Sequence, residues 1–153
     1  MFLIGQYDSP FVRRVAIALR LYGLPFEHKP WSTFGDAGKL AAFNPAGQCQ
    51  WRIDAGGQVR GAPTRLGRRL YVAAFHRTPS KGLLMAYHHD GKPAWKEPFT
   101  VQAARGDPAT CGFVASPLVY GDTVVVGCQD HRLYALDAAT GAPRWSCSRS
   151  RSC

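Results

Sequence analysis

Ser9 is the residue of this 153-residue chain whose setting most suggests chemistry. It lies between Asp8 and Pro10 at the start of an apolar-periodic run, and a hydroxyl followed by proline signals a helix start. There the hydroxyl and the exposed N–H groups of the first turn both favour an anion, a thiolate included. The same hydroxyl serves as a plain helix cap, and the cap is the reading the residues favour. The other reactive groups are scattered. His76, His88, His89 and His131 lack metal-ligand spacing, and His88 and His89 should point to opposite faces of a strand. Asp90 and Asp137 sit among turn formers, which makes them turn residues before acids. Cys49, Cys111, Cys128, Cys147 and Cys153 are odd in number and contain no CxxC pair, so reduced thiols are expected. Cys147 and Cys153 flank a Ser/Arg tail and can close a loop if oxidised. Ser9 is thus the single catalytic candidate; no metal or cofactor site is assigned.

The elements around Ser9 follow from pattern. Phe2-Leu3-Ile4 reads as a buried strand stopped by Gly5. Val12, Val15, Ala16, Leu19 and Tyr22 recur at helical spacing, Gly23 ends that helix, and Pro25 prevents its continuation. Residues 26–29 alternate as a second strand, and 36–43 read as a short helix closed by Asn44-Pro45-Ala46-Gly47. The order is β-α-β-α. These residues resemble the N-terminal thioredoxin-like domain of bacterial glutathione S-transferases. The resemblance rests on Ser9-Pro10-Phe11-Val12-Arg13-Arg14-Val15, on Gly23-Leu24-Pro25-Phe26-Glu27 and on Phe43-Asn44-Pro45-Ala46-Gly47. It implies glutathione as the ligand and Ser9 as the residue that stabilises its thiolate. Two of the family's binding elements are missing: Cys49-Gln50 stands in place of Val-Pro, and Ala62-Pro63 lies near the acidic-Ser position.

Beyond residue 50 the chain repeats itself. Pro117 and Gly121 are followed by Val124-Val125-Val126, then by Leu133-Tyr134-Ala135-Leu136-Asp137 and by Gly141 four residues before Trp145. A weaker copy has Pro63, Gly67, Leu70-Tyr71-Val72 and Gly91 four residues before Trp95. Each copy reads as short strands separated by turn residues. Residues from about 50 to 146 resemble pyrroloquinoline-quinone-type β-propeller repeats, about two blades of them. Trp51 to Arg60 resembles the end of a preceding blade. The resemblance implies that the tryptophans, Trp145 included, pack between blades. It does not by itself imply the quinone.

The expected organisation is a glutathione-transferase-like fragment over 1–48, a junction hairpin over 49–61, two propeller-type repeats over 62–146 and a disordered basic tail over 147–153. The expected fold class is α+β overall: a partial thioredoxin-like β-α-β-α start, then an all-β two-blade fragment. The junction residues 49–61 can pair with either the N-terminal sheet or the repeats.

Composition bounds the partners. With 46% apolar and 12% aromatic residues the chain has the material for a core. The formal charge of +9 comes from basic residues that are spread out, with groups at Arg60, Arg65, Arg68 and Arg69 and at Arg144, Arg149 and Arg151. No aromatic platform accompanies them, so only non-specific attraction to nucleic acid is expected. Met1 to Ile4 is too short for an export h-region, and no apolar run reaches a membrane span; a cytoplasmic location is expected. Two blades leave strand edges and apolar faces open, which predicts a protein partner or self-association. The functional expectation is a fusion or truncated chain with a non-catalytic binding or scaffolding role. A glutathione transferase using Ser9 is the alternative, and a quinoprotein fragment a distant third.

Overall fold

The computed structural model describes residues 2–4, 10–29, 38–77, 79–103 and 111–148. Ser9 lies outside them. Strand β1 (Phe2–Ile4), helix α1 (Pro10–Leu21) and strand β2 (Glu27–Lys29) make a β-α-β unit whose two strands are parallel. The helix ends as its glycine dictates. Gly23 adopts φ 65°, its N–H donates to the Arg20 carbonyl, and the Leu24 N–H donates to the Leu19 carbonyl at 2.9 Å. Those two bonds satisfy carbonyls that the last helical turn would leave without partners.

The expected second helix is not formed. Lys39–Phe43 is strand β3, paired antiparallel with β4 (Cys49–Asp54). The turn between them decides this. Asn44 accepts from the Gly47 N–H at 2.9 Å and from the Gln48 N–H through Oδ1 at 2.9 Å. Gly47 takes φ 76°, a conformation that glycine adopts at little cost. The chain therefore folds back, and Leu40 and Ile53 share a face that packs on the next sheet. Burial of that face outweighs the helix propensity of Leu40, Ala41 and Ala42. With about half of its described residues in strands and a single helix among them, the chain is nearly all β. The α+β class and the thioredoxin-like β-α-β-α start are both overturned.

Two four-stranded antiparallel sheets follow. The first is β5 (Thr64–Leu66), β6 (Arg69–Arg77), β7 (Ser80–His88) and β8 (Phe99–Gln102); the second is β9 (Leu118–Tyr120), β10 (Thr123–Gly127), β11 (Arg132–Asp137) and β12 (Pro143–Ser148). Each is a meander in chain order: two propeller blades. Because side chains alternate along a strand, each blade has two faces. One face of the first blade (Tyr71, Ala73, Leu84, Ala86) packs with Trp95 against Val124, Val126, Leu136 and Ala138 of the second blade and its turn, and against Phe113 of the segment between the blades. Its opposite face (Val72, Ala74, Leu83, Met85, Tyr87) packs against Ala55, Leu40, Ile53 and Val59. Full burial of each large apolar side chain contributes roughly 1.5–3 kcal/mol, so the stacking of the sheets supplies most of the cohesion. At the inner strands, the Ala62 N–H donates to Ser116 Oγ at 2.8 Å and the Thr64 hydroxyl donates to the Pro117 carbonyl. At the junction, residues 49–54 pair with 39–43, while Gln58 bridges to Phe75 of β6. Strand β12 takes in Cys147 and Ser148.

Candidate protein-binding face

Three glycine-closed turns, each four residues ahead of a tryptophan, organise the molecule. The glycines are Gly47, Gly91 and Gly141, with φ of 76°, 84° and 78°; the tryptophans are Trp51, Trp95 and Trp145. Register shows that the turns are related: Phe43 pairs with Cys49 and Tyr87 with Pro93, six positions apart in each case, while Leu136 pairs with Pro143 around a turn one residue longer. Leu40 to Trp51 is thus the outer half of a third blade. The sequence reading placed Trp51 at the end of a preceding blade but missed this strand and turn. The Gly47-to-Trp51 spacing was the available signal. It was absorbed into the transferase-like Asn44-Pro45-Ala46-Gly47 match.

Trp51 and Trp95 each seat on the glycine of the following turn. A Cβ added at Gly91 would lie 2.9 Å from Trp51 Cδ2, and one at Gly141 would lie 2.7 Å from Trp95 Cδ2. The indole N–H groups reach carbonyls beside those glycines: Trp51 donates to His89 O at 2.8 Å and Trp95 to Ala138 O at 3.1 Å. Ala138 O also accepts from the buried Tyr71 hydroxyl at 3.0 Å and from Arg69 Nη1 at 3.3 Å. Glycine is needed because the indole occupies the space a side chain would take.

Trp145 breaks the series. It was expected to pack between blades, yet it is 50% exposed whereas Trp95 is 4% exposed. Among the described residues nothing accepts from its indole N–H. Pairing across β9 to β12 puts Leu118, Val125, Ala135 and Trp145 in one row. Its neighbours on the same face, Leu133 and Tyr120, are 46% and 84% exposed. The corresponding first-blade residues, Tyr71, Leu84, Ala86 and Trp95, are all buried by the second blade. The same design is therefore covered once and open once. An apolar face of this kind is the normal signature of a protein-binding surface.

The open face is held rigidly. Arg144 donates to Asp122 through both terminal nitrogens at 2.7 Å and to Asp137 Oδ2 at 2.6 Å. Asp137 Oδ1 accepts from the Ala139 and Thr140 N–H groups and from the Thr140 hydroxyl. The Arg144 guanidinium and the Thr140 groups hold the Asp137 carboxyl down to about 2, and Asp122 is lowered mainly by Arg144. Asp137 is thus occupied as a turn former. Asp90 accepts from the Lys92 N–H at 3.1 Å, and that bond lowers its pKa.

The other candidates do not converge. Among the described residues no group of His, Cys, Asp or Glu is placed to hold a metal. An open cleft of about 760 Å³ between the blade ends is lined by Arg68, Arg69, His88, His89, Asp90 and Asp122 among others. Arg68 approaches His89 Nε2 at 3.4 Å. Cys49, Cys111 and Cys128 are free thiols, and burial pushes the Cys128 thiol up to about 11. Cys147 is disulfide-bonded, which corrects the expectation of reduced thiols throughout. Burial and the Asp130 carboxylate raise the Tyr134 hydroxyl, which donates to Asp130 at 2.5 Å.

Comparison with known proteins agrees with the blades. The structure of BamB from Moraxella catarrhalis aligns with a TM-score of 0.52 at 18% identity, covering 72% of this chain and 30% of that one. Quinohemoprotein alcohol dehydrogenase from Comamonas testosteroni aligns with a TM-score of 0.50 at 17% identity, covering 72% and 19%. These likenesses are of fold. Protein Rv3035 of Mycobacterium tuberculosis (strain ATCC 25618 / H37Rv) is 32% identical over 94 residues, which are 56% of this chain and 23% of the relative. The chain thus spans about a quarter of that relative's length. No described helix is long and apolar enough to cross a membrane. The family model described as outer membrane protein assembly factor BamB matches residues 22–152, across the boundary at 48 and through all three glycine turns. On that match the chain belongs to this β-propeller-repeat family.

Proposed function

We propose that this chain is a non-catalytic protein-binding module that works through the exposed face of the β9–β12 sheet. The observation that carries the reading is the contrast between Trp95, 4% exposed under the next blade, and Trp145, 50% exposed at the same place in its own blade. Apolar side chains preset on a rigid sheet lose little conformational freedom when a partner covers them, which favours binding. The family description, an assembly factor, supports a role in holding proteins together. The reading assigns no cofactor to the chain.

Site-specific photo-crosslinking tests it. A photoreactive side chain at Tyr120, on the open face, should give discrete protein adducts in cells that express the chain. The same group at Arg65, exposed on β5, should give few. Adducts from Tyr120 should disappear when Leu133→Asp is added. Equal labelling from both positions, or none from Tyr120, would refute the reading.

A further inference from the structure

We infer that the cleft between the blade ends binds a small molecule through an oxyanion, phosphate or carboxylate, held by Arg68 and Arg69. The cleft shares no residue with the open apolar face, so its occupancy and the protein-binding reading stand or fall separately. Turns of both blades build it: residues 66–69 and 88–90 of the first, 121–122 and 138–139 of the second. Its volume of about 760 Å³ falls in the range of pockets for small organic ligands. The space is open where the second blade lines it, since nothing lies within 4 Å of a Cβ added at Gly121.

The charges decide what the cleft suits. Asp90 is paired with Lys92 Nζ at 3.3 Å, and Asp122 receives both terminal nitrogens of Arg144 at 2.7 Å. Neither of those cations lines the cleft, so both carboxylates are compensated from outside it. Among the described residues the Arg69 side chain reaches the neutral Ala138 carbonyl at 3.3 Å, the Arg68 side chain reaches the His89 ring at 3.4 Å, and neither meets a carboxylate. Guanidinium groups without counter-charges focus a positive potential in such a cleft. Their planar forks match the paired oxygens of carboxylate and phosphate. The walls are fixed before a ligand arrives. Ala138 O accepts from the Tyr71 hydroxyl at 3.0 Å and from Trp95 Nε1 at 3.1 Å. His89 O accepts from Trp51 Nε1 at 2.8 Å, and the His89 N–H donates to the Arg68 carbonyl at 3.1 Å. Walls set in this way need little ordering on binding.

The same bonds provide the readout. The indole N–H groups of Trp51 and Trp95 end on carbonyls of the cleft walls, so their proton–nitrogen resonances report its occupancy. The whole chain is titrated with pyrophosphate and, separately, with citrate. Both resonances should shift saturably with at least one of these anions, and the tighter of the two identifies the charged group the cleft prefers. Arg68→Gln and Arg69→Gln should each raise Kd by about 10-fold or more, the size of a lost charge-assisted hydrogen bond. Arg13→Gln removes the same charge from an exposed position on α1 and should leave Kd unchanged. Dispersed indole resonances in the free variants verify folding; should Arg69→Gln not fold, the exposed Arg68 carries the test. No saturable shift with either anion, or equal weakening by Arg13→Gln, overturns the inference.

Discussion

Replacing Gly141 by alanine should damage this molecule far more than the same change at Gly121. Both glycines have positive φ, 78° and 59°, so a Cβ costs about 1–2 kcal/mol of backbone strain at either site. Around Gly121 nothing lies within 4 Å of the added atom, and the strain is the whole effect. At Gly141 the new Cβ would fall 2.7 Å from Trp95 Cδ2 and 2.8 Å from Cε3. The indole must move, and it is buried between the blades. Overpacking of this kind typically costs about 1–3 kcal/mol, and displacing the Trp95 bond to Ala138 O forfeits about 0.5–1.5 kcal/mol more. Gly141→Ala should therefore lose about 2.5–6.5 kcal/mol and Gly121→Ala about 1–2 kcal/mol. For a chain of this size the difference, about 1.5–4.5 kcal/mol, corresponds to a Tm gap of roughly 3–18 °C. Equilibrium urea unfolding followed by tryptophan fluorescence measures it directly. Equal losses for the two variants would refute the argument that the glycine exists to seat the indole.

Further outcomes follow from other contacts. Tyr71→Phe removes one of three donors to Ala138 O while the carbonyl keeps Trp95; urea unfolding should show a loss of only about 0.5–1.5 kcal/mol. Asp137 is held at about 2 in the folded chain against an ordinary 3.8, so its contribution is complete above about 3.8 and is lost as pH falls through about 2. Thermal melts between pH 5 and pH 2 should show that decline, and Asp137→Asn should flatten this part of the profile. The exposed Cys49 should react quickly with a thiol reagent at pH 8, whereas Cys128, half-buried and raised to about 11, should react fully only after unfolding. Acrylamide should quench Trp145 in wild type far more than Trp95, which comparison of Trp145→Phe with Trp95→Phe reads out; equal quenching would contradict the open face.

The sequence by itself determined the blades. Alternating β-branched and aromatic runs such as Val124-Val125-Val126 and Leu133-Tyr134-Ala135-Leu136 form strands because that pattern matches a pleated, half-buried sheet. Turns such as Asp137 to Gly141 close locally through their own side chains, so neighbouring residues suffice to specify them. Residues 39–43 were not legible in this way. Lys39-Leu40-Ala41-Ala42-Phe43 carries no strong local preference for strand, and what makes it β3 is the burial of Leu40, with Ile53, against a sheet that begins more than twenty residues further along the chain from Leu40. A local match to Asn-Pro-x-Gly in another family could not register that distant contact. The same holds for the tryptophans. Trp95 and Trp145 have the same local sequence setting, and only the tertiary structure makes one buried and the other exposed, because Trp95 is packed against side chains of the β9–β12 sheet whereas Trp145 lies on the far side of that sheet.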